Sequence, residues 1–555
     1  MSNERLIYLP LGGAGEVGMN AYIYGYGPED DERLILVDLG LTFPNMDTSP
    51  GVDLILPDIA WLEERRDRLE AIFITHAHED HVGAVGHLYD RLGAPIYARA
   101  FTSNIARGKM AEFGYSEKAV KTVAPWPETV KAGPFTVSFA PISHSIPECS
   151  ALVIDTPEGR VVHSGDFKLD DNPTVGEAFD PDLYAQIGGD GIRALVCDST
   201  NVFNLHEGRS ESSVAQPIED LVAAAPGMVV ATTFASNVAR LKTLAEAGER
   251  AGRSICMMGR AMRRMIEASI ESRVLDDFPK VVSPEEARDL PRDSLMLIVT
   301  GSQGERRAAS AQLASGKYQG MRLKEGDTFL FSSKTIPGNE RGVISVVNQL
   351  SEKGVDVVDD TMGHYHVSGH ANRPDLERVH TLLKPQMIIP MHGEHRHLRE
   401  HAKLAQGKGL QSLIAVNGTM VVLGASGPKV AGYVETGRTY LDGTVKYGAL
   451  DGVVRDRIRM ALNGHVLVTQ ILDEDGATLG DPWCELRGLA ETGRSNAPLV
   501  EVLEDDLARM LGQADARTLA DDDKLEEAMR RTVRNSAQNE IGKKPEVTVV
   551  ISRLQ

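Results

Sequence analysis

A chain of 555 residues exceeds what one hydrophobic core organises, and at roughly 100 to 200 residues per domain it reads as three or four domains. Hydrophobic residues at 42% and charged residues at 25% exclude fibrous and largely disordered classes. The net charge of −20 argues against a surface coated with nonspecific nucleic-acid affinity, so a nucleic acid would have to enter a locally basic channel.

The first ten residues lack a basic region followed by an apolar stretch, and no apolar run reaches the length of a membrane span, so a cytoplasmic protein without membrane contact is expected. Short apolar strands alternate with turns over the first 200 residues: Leu34 to Asp38, Ala71 to Thr75, Phe135 to Ala140, Ala151 to Asp155, Arg160 to His163 and Ala194 to Asp198. Polar residues capable of chemistry stand just beyond several strand ends, which predicts a layered α/β scaffold whose loops form the site. From about Ser210 the rhythm becomes strand, turn, long helix. Four strands, Met228 to Phe234, Ser254 to Met258, Leu295 to Thr300 and Thr328 to Phe331, predict a parallel sheet with crossover helices, inserted into the first domain. Arg260, Arg263, Arg264, Arg306, Arg307 and Lys334 in this stretch are the candidates for a basic channel. After Val355 the chain returns to polar motifs on strand ends. Residues 425–453 are Gly-rich and read as a linker, and the last hundred residues combine strand-like HVLVTQIL and EVTVVISRL with a charged helix from Asp521 to Ser536. Cys149, Cys197, Cys256 and Cys484 are too far apart for a zinc knuckle or redox motif and are expected to be reduced, buried thiols.

The densest chemical signal is T-H-A-H-E-D-H-V, Thr75 to Val82, directly after the strand AIFIT. In so short a loop alternate residues converge, so His76 and His78 can share one metal while Asp80 and His81 reach another; imidazole and carboxylate suit Zn²⁺ or Mn²⁺. Two metals need more ligands, and His144 in PISHS, Asp166 in HSGDF and His392 in MHGE stand at strand ends that can supply them. An aspartate between two metals bridges them, the natural role for Asp166.

These motifs resemble the metallo-β-lactamase nuclease superfamily. C-D-S-T-N (Cys197 to Asn201), H-V-S-G-H (His366 to His370) and M-H-G-E (Met391 to Glu394) are similar to its β-CASP branch. With P-L-G-G-A-G-E-V-G-M-N (Pro10 to Asn20), T-F-A-S-N and I-P-G-N-E, the resemblance narrows to the bacterial ribonuclease J family, over essentially the whole chain. It implies a metallo-β-lactamase αββα sandwich (1–208 and 355–424), an inserted β-CASP parallel α/β domain (209–354), a linker (425–453) and a small C-terminal α+β domain (454–555). It further implies that His76, His78 and His144 hold one zinc, that Asp80, His81 and His392 hold the other, with Mn an alternative, and that Asp166 bridges them. Asp198, His370 and His392 take the branch's motif positions. A structural calcium near Asp53, Asp442 and Gly443 is also implied, although Lys446-Tyr447-Gly448 stands where a second acidic residue is expected.

The implied activity is 5′-to-3′ exonucleolysis of single-stranded, 5′-monophosphorylated RNA with a second, endonucleolytic activity, in mRNA decay and rRNA maturation, by a homodimer or homotetramer. Two metals roughly 3.5–4 Å apart activate a water that attacks the phosphodiester. His370 is the candidate general acid, with Asp198 orienting site histidines. A pocket from His366, Val367, Ser368, Gly369 and His370 facing Ser236 and Asn237 would hold the 5′-phosphate, while Ser236 also reads as an ordinary helix cap. The rival readings are a small-molecule thioester or lactam hydrolase, disfavoured by the inserted domain, a noncatalytic RNA-binding scaffold, disfavoured by the full ligand set, and a DNA nuclease of the same branch.

Overall fold

A computed structural model describes residues 4–554. Two sheets form the first layer pair. The eight-stranded sheet runs Gly427–Tyr433, Thr419–Gly424, Glu4–Gly12, Ala21–Pro28, Arg33–Val37, Leu69–Phe73, Ile96–Ala98, Val120–Thr122. The seven-stranded sheet runs Gln411–Ser412, Met387–Met391, Ile192–Asp198, Gly159–His163, Ser150–Thr156, Phe135–Pro141, Val130–Ala132. Alternate residues of both contribute to one core: Tyr8, Tyr24, Ile35 and Phe73 from the first sheet pack with Val137, Leu152, Val161, Val196 and Ile389 from the second. The intervening residues of the second sheet, Val153, Val162, Leu195 and Ile388, pack under the helices Pro181–Gly189, Arg373–Leu383 and His395–Gly407. Strands covered on both faces read as unbroken apolar runs, which is why LVC and MIIP show no alternation.

Ile192–Asp198 and Met387–Met391 are parallel neighbours. Parallel neighbours need a crossover, and here nearly 190 residues of chain lie between them. Within that crossover lies a six-stranded sheet with every pair parallel, in the order Val281–Val282, Ser254–Met258, Leu295–Val299, Val229–Thr232, Thr328–Phe331, Asp356–Val358. The four strands expected from sequence are its centre. The two at its edges are two and three residues long, too short to carry a periodic signal.

The described chain up to Thr42 together with Leu56–Arg438 forms one compact unit, and Phe43–Ile55 with the described residues from Thr439 on forms another. Residues 425–453, expected as a linker, carry the strands Gly427–Tyr433, Arg438–Asp442 and Val445–Gly448. Glycines stand both within these short strands (Gly427, Gly432, Gly448) and between them, so composition alone reads as irregular. In the second unit, Trp483–Arg487, His465–Leu472 and Glu546–Arg553 form a sheet covered by Leu499–Gln513 and Asp522–Ile541; Leu503, Leu507, Met529 and Val533 meet Val466 and Val468 in its core. All four cysteines are free and buried. No helix among the described residues is long and apolar enough to cross a membrane.

Candidate metal centre

The strand Leu69–Phe73 delivers the chain to Thr75, and Glu79–Val82 closes a single helical turn. Neighbouring backbone locks this loop: Leu39 N–H donates to His81 O (2.8 Å), Leu41 N–H to Glu79 O (3.0 Å) and Asn20 N–H to Asp80 O (2.9 Å). The approach is close enough that a Cβ on Gly40 would lie 1.6 Å from Asp80 O. Gly40→Ala therefore displaces Asp80; the expected cost is about 1–3 kcal/mol of stability together with loss of bound metal, read by thermal unfolding and elemental analysis. Wild-type stability and metal content in that variant would contradict this packing.

All seven side chains expected as ligands converge. His78 Nδ1 lies 3.1 Å from both His76 Nε2 and His144 Nε2. Asp80 Oδ2 lies 3.3 Å from His392 Nε2 and 3.6 Å from His81 Nε2. Asp166 Oδ2 stands between the groups, 3.2 Å from His81, 3.4 Å from His392, 3.9 Å from His76 and 4.0 Å from His144. Two four-residue groups result, His76, His78, His144, Asp166 and Asp80, His81, Asp166, His392.

The histidines' outer nitrogens are held from behind. His81 Nδ1–H donates to Asp38 (2.7 Å) and His144 Nδ1–H to Gly369 O (2.5 Å). His76 Nδ1–H donates to Thr75 Oγ1 (2.9 Å), whose hydroxyl donates to Asp38, and His392 Nδ1–H to Thr200 Oγ1 (2.8 Å), whose hydroxyl donates to Asp198. Each of the four thus directs its Nε2 inward, as histidine ligands fixed by outer hydrogen bonds do. Gly369 permits the His144 contact, since a Cβ there would lie 2.9 Å from the imidazole.

The Nε2 lone pairs of His76 and His144 both face His78 Nδ1 at 3.1 Å, and one N–H there can serve only one of them well, whereas a cation among the three serves all. Burial holds His76 and His144 well below the usual imidazole range and His78 down to about 4, so protons do not fill that role. In the other group burial disfavours charge on His81, but Asp166, Asp80 and Asp38 outweigh it and lift His81 to about 10. Burial likewise opposes ionisation of Asp166, and His392 and His81 reverse this and hold it low. Asp166 Oδ1 is buried with no hydrogen-bond partner. Converging lone pairs, an orphaned carboxylate oxygen and a hard–borderline N/O donor set fit divalent metal ions such as zinc.

At the rim, His370 Nδ1–H donates to Asp198 Oδ2 (2.8 Å), and the His370 ring lies 5.1 Å from that of His144 and 5.4 Å from that of His392. Asp198 is buried whereas the His370 side chain is 22% exposed, so His370 is the group a substrate can reach. Burial disfavours the His370 cation, and Asp198 overcomes this and raises its pKa.

Beside this rim stands a second feature that sequence reasoning missed. Arg240, fully buried, donates from Nε to Glu211 (2.7 Å) and from Nη1 to Ser332 O and Oγ (each 2.9 Å) and Tyr365 O (3.0 Å). Its Nη2 is buried with no partner. His366 Nδ1 lies 3.5 Å from Arg240 Nη1, and burial, then Arg240, Lys334, Lys168 and Arg209, hold His366 down to about 3. Of the other expected pocket residues, Asn237 caps the helix Val238–Arg250 by accepting from Arg240 N–H (3.0 Å), so the capping role considered for Ser236 falls to its neighbour. Val367 is buried, and Ser368 Oγ is engaged by Asn201 (2.8 Å) and His370 N–H (3.1 Å). Of the basic candidates, Lys334 lies in this cluster, Arg264 reaches Asn104, Arg306 is exposed, and Arg260, Arg263 and Arg307 line a cavity of about 590 Å³ with Thr300 and Tyr318.

In the other compact unit, Asp53 accepts from Gly443 N–H (2.7 Å), and the guanidinium of Arg457 pairs with Asp442. Positive charge is thus already supplied to Asp442, and no group of three metal-ligating side chains forms there among the described residues. The geometry does not fit the expected calcium.

Comparison with known proteins matches four family models in chain order: the metallo-beta-lactamase superfamily over residues 14–198, the beta-CASP domain of ribonuclease J over 226–350, the Zn-dependent metallo-hydrolase RNA specificity domain over 354–415 and the ribonuclease J C-terminal domain over 452–554. The chain is 40% identical to ribonuclease J of Sinorhizobium meliloti over 554 residues, covering 100% of this chain and 98% of that one. It is 34% identical to ribonuclease J of Mycolicibacterium smegmatis (94% and 93% covered) and 34% identical to that of Thermus thermophilus (85% and 83%). A crystal structure of a protein of unknown function from Enterococcus faecalis V583 shares the fold, with a TM-score of 0.53 at 16% identity over 75% of this chain and 100% of that one.

Proposed function

Given that this chain belongs to the ribonuclease J family and is an RNA-hydrolysing nuclease, we propose that it degrades 5′-monophosphorylated, single-stranded RNA from the 5′ end with two metal ions, cleaving internally as a second activity. The observation that carries the reading is Asp166, whose carboxylate is shared by two His/Asp groups, next to the His370–Asp198 pair. His76, His78 and His144 would hold one ion, Asp80, His81 and His392 the other, and Asp166 would serve both; zinc fits the donors, with manganese an alternative. Bound there, the ions supply acidification of a shared water and neutralisation of charge on the phosphodiester oxygens. His370, its Nδ1–H fixed on Asp198, presents Nε2 to the departing 3′-oxygen and protonates it. The 2′-hydroxyl takes no part, so the products carry a 5′-phosphate and a 3′-hydroxyl.

The 5′-phosphate is assigned to the cluster of Arg240, His366 and the backbone at Ser236 and Asn237, with Ser368 and Gly369 alongside. A buried guanidinium with a free donor is suited to a phosphate oxygen. RNA end-labelled at its 3′ end and carrying a 5′-monophosphate, triphosphate or hydroxyl tests this. The monophosphate substrate is expected to be degraded at least about tenfold faster than the others, and His366→Ala to erase the preference while leaving internal cleavage intact. Equal rates on the three ends would remove the pocket.

The proposed division is 1–208 with 355–424, 209–354 and 454–555, with Gly427–Tyr433 joining the first as the edge strand of its eight-stranded sheet. The setting is cytoplasmic mRNA decay and rRNA maturation. Exposed Trp483 (51%) and Leu462 (62%) in the second compact unit support assembly as a homodimer or homotetramer, and sedimentation of a monomer at micromolar concentration would count against it.

A further inference from the structure

Among the described residues, one cluster of metal-ligating side chains lies outside the centre described above. Cys197 stands in the strand Ile192–Asp198, with its side chain in the apolar layer under the helices, where His380 of Arg373–Leu383 and His401 of His395–Gly407 meet it. One ligand atom from each of the three lies within 4.8 Å of the others, and all three residues are buried. We propose that Cys197, His380 and His401 form a separate metal site for one thiophilic d¹⁰ cation, Zn²⁺ or Cu⁺.

The two imidazoles approach Nε2 to Nε2 at 3.1 Å with their rings nearly parallel, 10° apart. Ligand atoms around a bound zinc stand about 3.3–3.6 Å apart, given bonds of about 2.0–2.3 Å, so the 3.1 Å between the two imidazoles is close to that spacing. The tautomer of His401 is fixed as it is in histidine ligands elsewhere: Ser199 Oγ donates to Cys197 O (3.3 Å) and accepts from His401 Nδ1–H (2.9 Å), which leaves the Nε2 lone pair facing His380. Burial holds both imidazoles below their usual range, so each is a neutral donor. His380 Nδ1 is buried with no partner, so no contact on that side fixes its tautomer and its Nε2 can turn a lone pair to an ion.

Charge favours the same class of ion. Burial, then Asp198, push the Cys197 thiol up, so a binding ion would displace its proton to solvent; the resulting thiolate with two neutral imidazoles would neutralise Cu⁺ completely and leave Zn²⁺ with a single net positive charge, whereas oxygen-seeking cations are not favoured by this donor set. Three protein ligands complete a trigonal Cu⁺ site, while Zn²⁺ would add a fourth ligand such as water. Such an ion would tie the strand end preceding Asp198 to two helices of the outer layer, a structural role that uses none of the groups assigned to RNA hydrolysis.

The test uses the full chain, stripped of metal and titrated with Co²⁺ as a spectroscopic probe, and separately with Cu⁺ against bicinchoninate. The His/Asp centre contains no cysteine, so a near-ultraviolet thiolate-to-Co²⁺ charge-transfer band reports this site alone. The band, or retention of a further equivalent of Cu⁺, is expected in the wild type and in Asp80→Ala, and is lost in Cys197→Ser and in His380→Leu. His380→Leu places an apolar side chain in an apolar layer, so it carries the test if Cys197→Ser does not fold, and RNA hydrolysis by His380→Leu reads the nuclease independently. Retention of Cu⁺ without a Co²⁺ band assigns the site to Cu⁺. Absence of both signals in the wild type, or their persistence in a folded His380→Leu, overturns the proposal.

Discussion

Asp166→Ala is expected to lower RNA hydrolysis by more than about 10⁴-fold, a larger loss than removal of the general acid causes, because one carboxylate serves two ligand groups. Its Oδ2 lies between 3.2 and 4.0 Å from four different imidazoles, so no other side chain of the centre can replace it. The effect should emerge in single-turnover rates and, in parallel, as a fall in bound metal by elemental analysis. Asp166→Asn keeps the volume but loses the charge, and is expected to behave nearly as badly, since charge neutralisation rather than packing is what the position supplies. A single-turnover rate within about tenfold of wild type for either variant would rule out the bridging role.

The second large effect concerns proton delivery. His370→Ala removes the group proposed to protonate the 3′-oxygen and is expected to cost about 10²–10⁴-fold in kcat, with bound metal unchanged. Asp198→Asn is more diagnostic. Burial disfavours the His370 cation and the Asp198 carboxylate restores it, so the native pair keeps His370 protonated to higher pH than an unpaired buried histidine. A general acid works only while protonated, and its contribution fades as pH rises through its pKa. Removing the carboxylate lowers that pKa, so the alkaline limb of the pH–rate profile should move to lower pH in Asp198→Asn, with a rate loss of about 10–100-fold near neutrality. An alkaline limb that stays in place, with only a uniform drop in rate, would mean that Asp198 acts by packing rather than through the proton on His370. Asp198 also receives the Thr200 hydroxyl that orients His392, so metal content must be measured in the same preparation to separate the two roles.

The residues proposed as ligands are legible in the sequence because their signal is local. Three histidines and an aspartate within six residues, directly after a buried strand, leave little room for a bland reading, and the later strand-end motifs supply the remainder. Asp38 shows where that legibility stops. In the sequence it is the last residue of an ordinary apolar run, LILVD, yet in the fold it anchors His81, Thr75 and, through Thr75, His76. Arg240 is a stronger case. Three residues into an amphipathic helix it reads as a solvated arginine, and its burial depends on Ser332 and Tyr365, 92 and 125 residues away. The implied calcium site shows the same limit, because the positive charge at Asp442 comes from Arg457 on a helix whose position the sequence does not announce.

The layered α/β class, the inserted parallel sheet and the choice of His and Asp side chains that converge thus follow from the amino-acid order, since each is written in spacing along a few residues of chain. Only in the packed fold is it settled which outer partner fixes each imidazole, that a buried arginine stands beside His366, and that Cys197 meets two histidines from separate helices. The physical reason is common to all three: hydrogen bonding and charge act over a few ångströms of space, and residues brought that close by the packing of sheets and helices leave no periodicity along the chain.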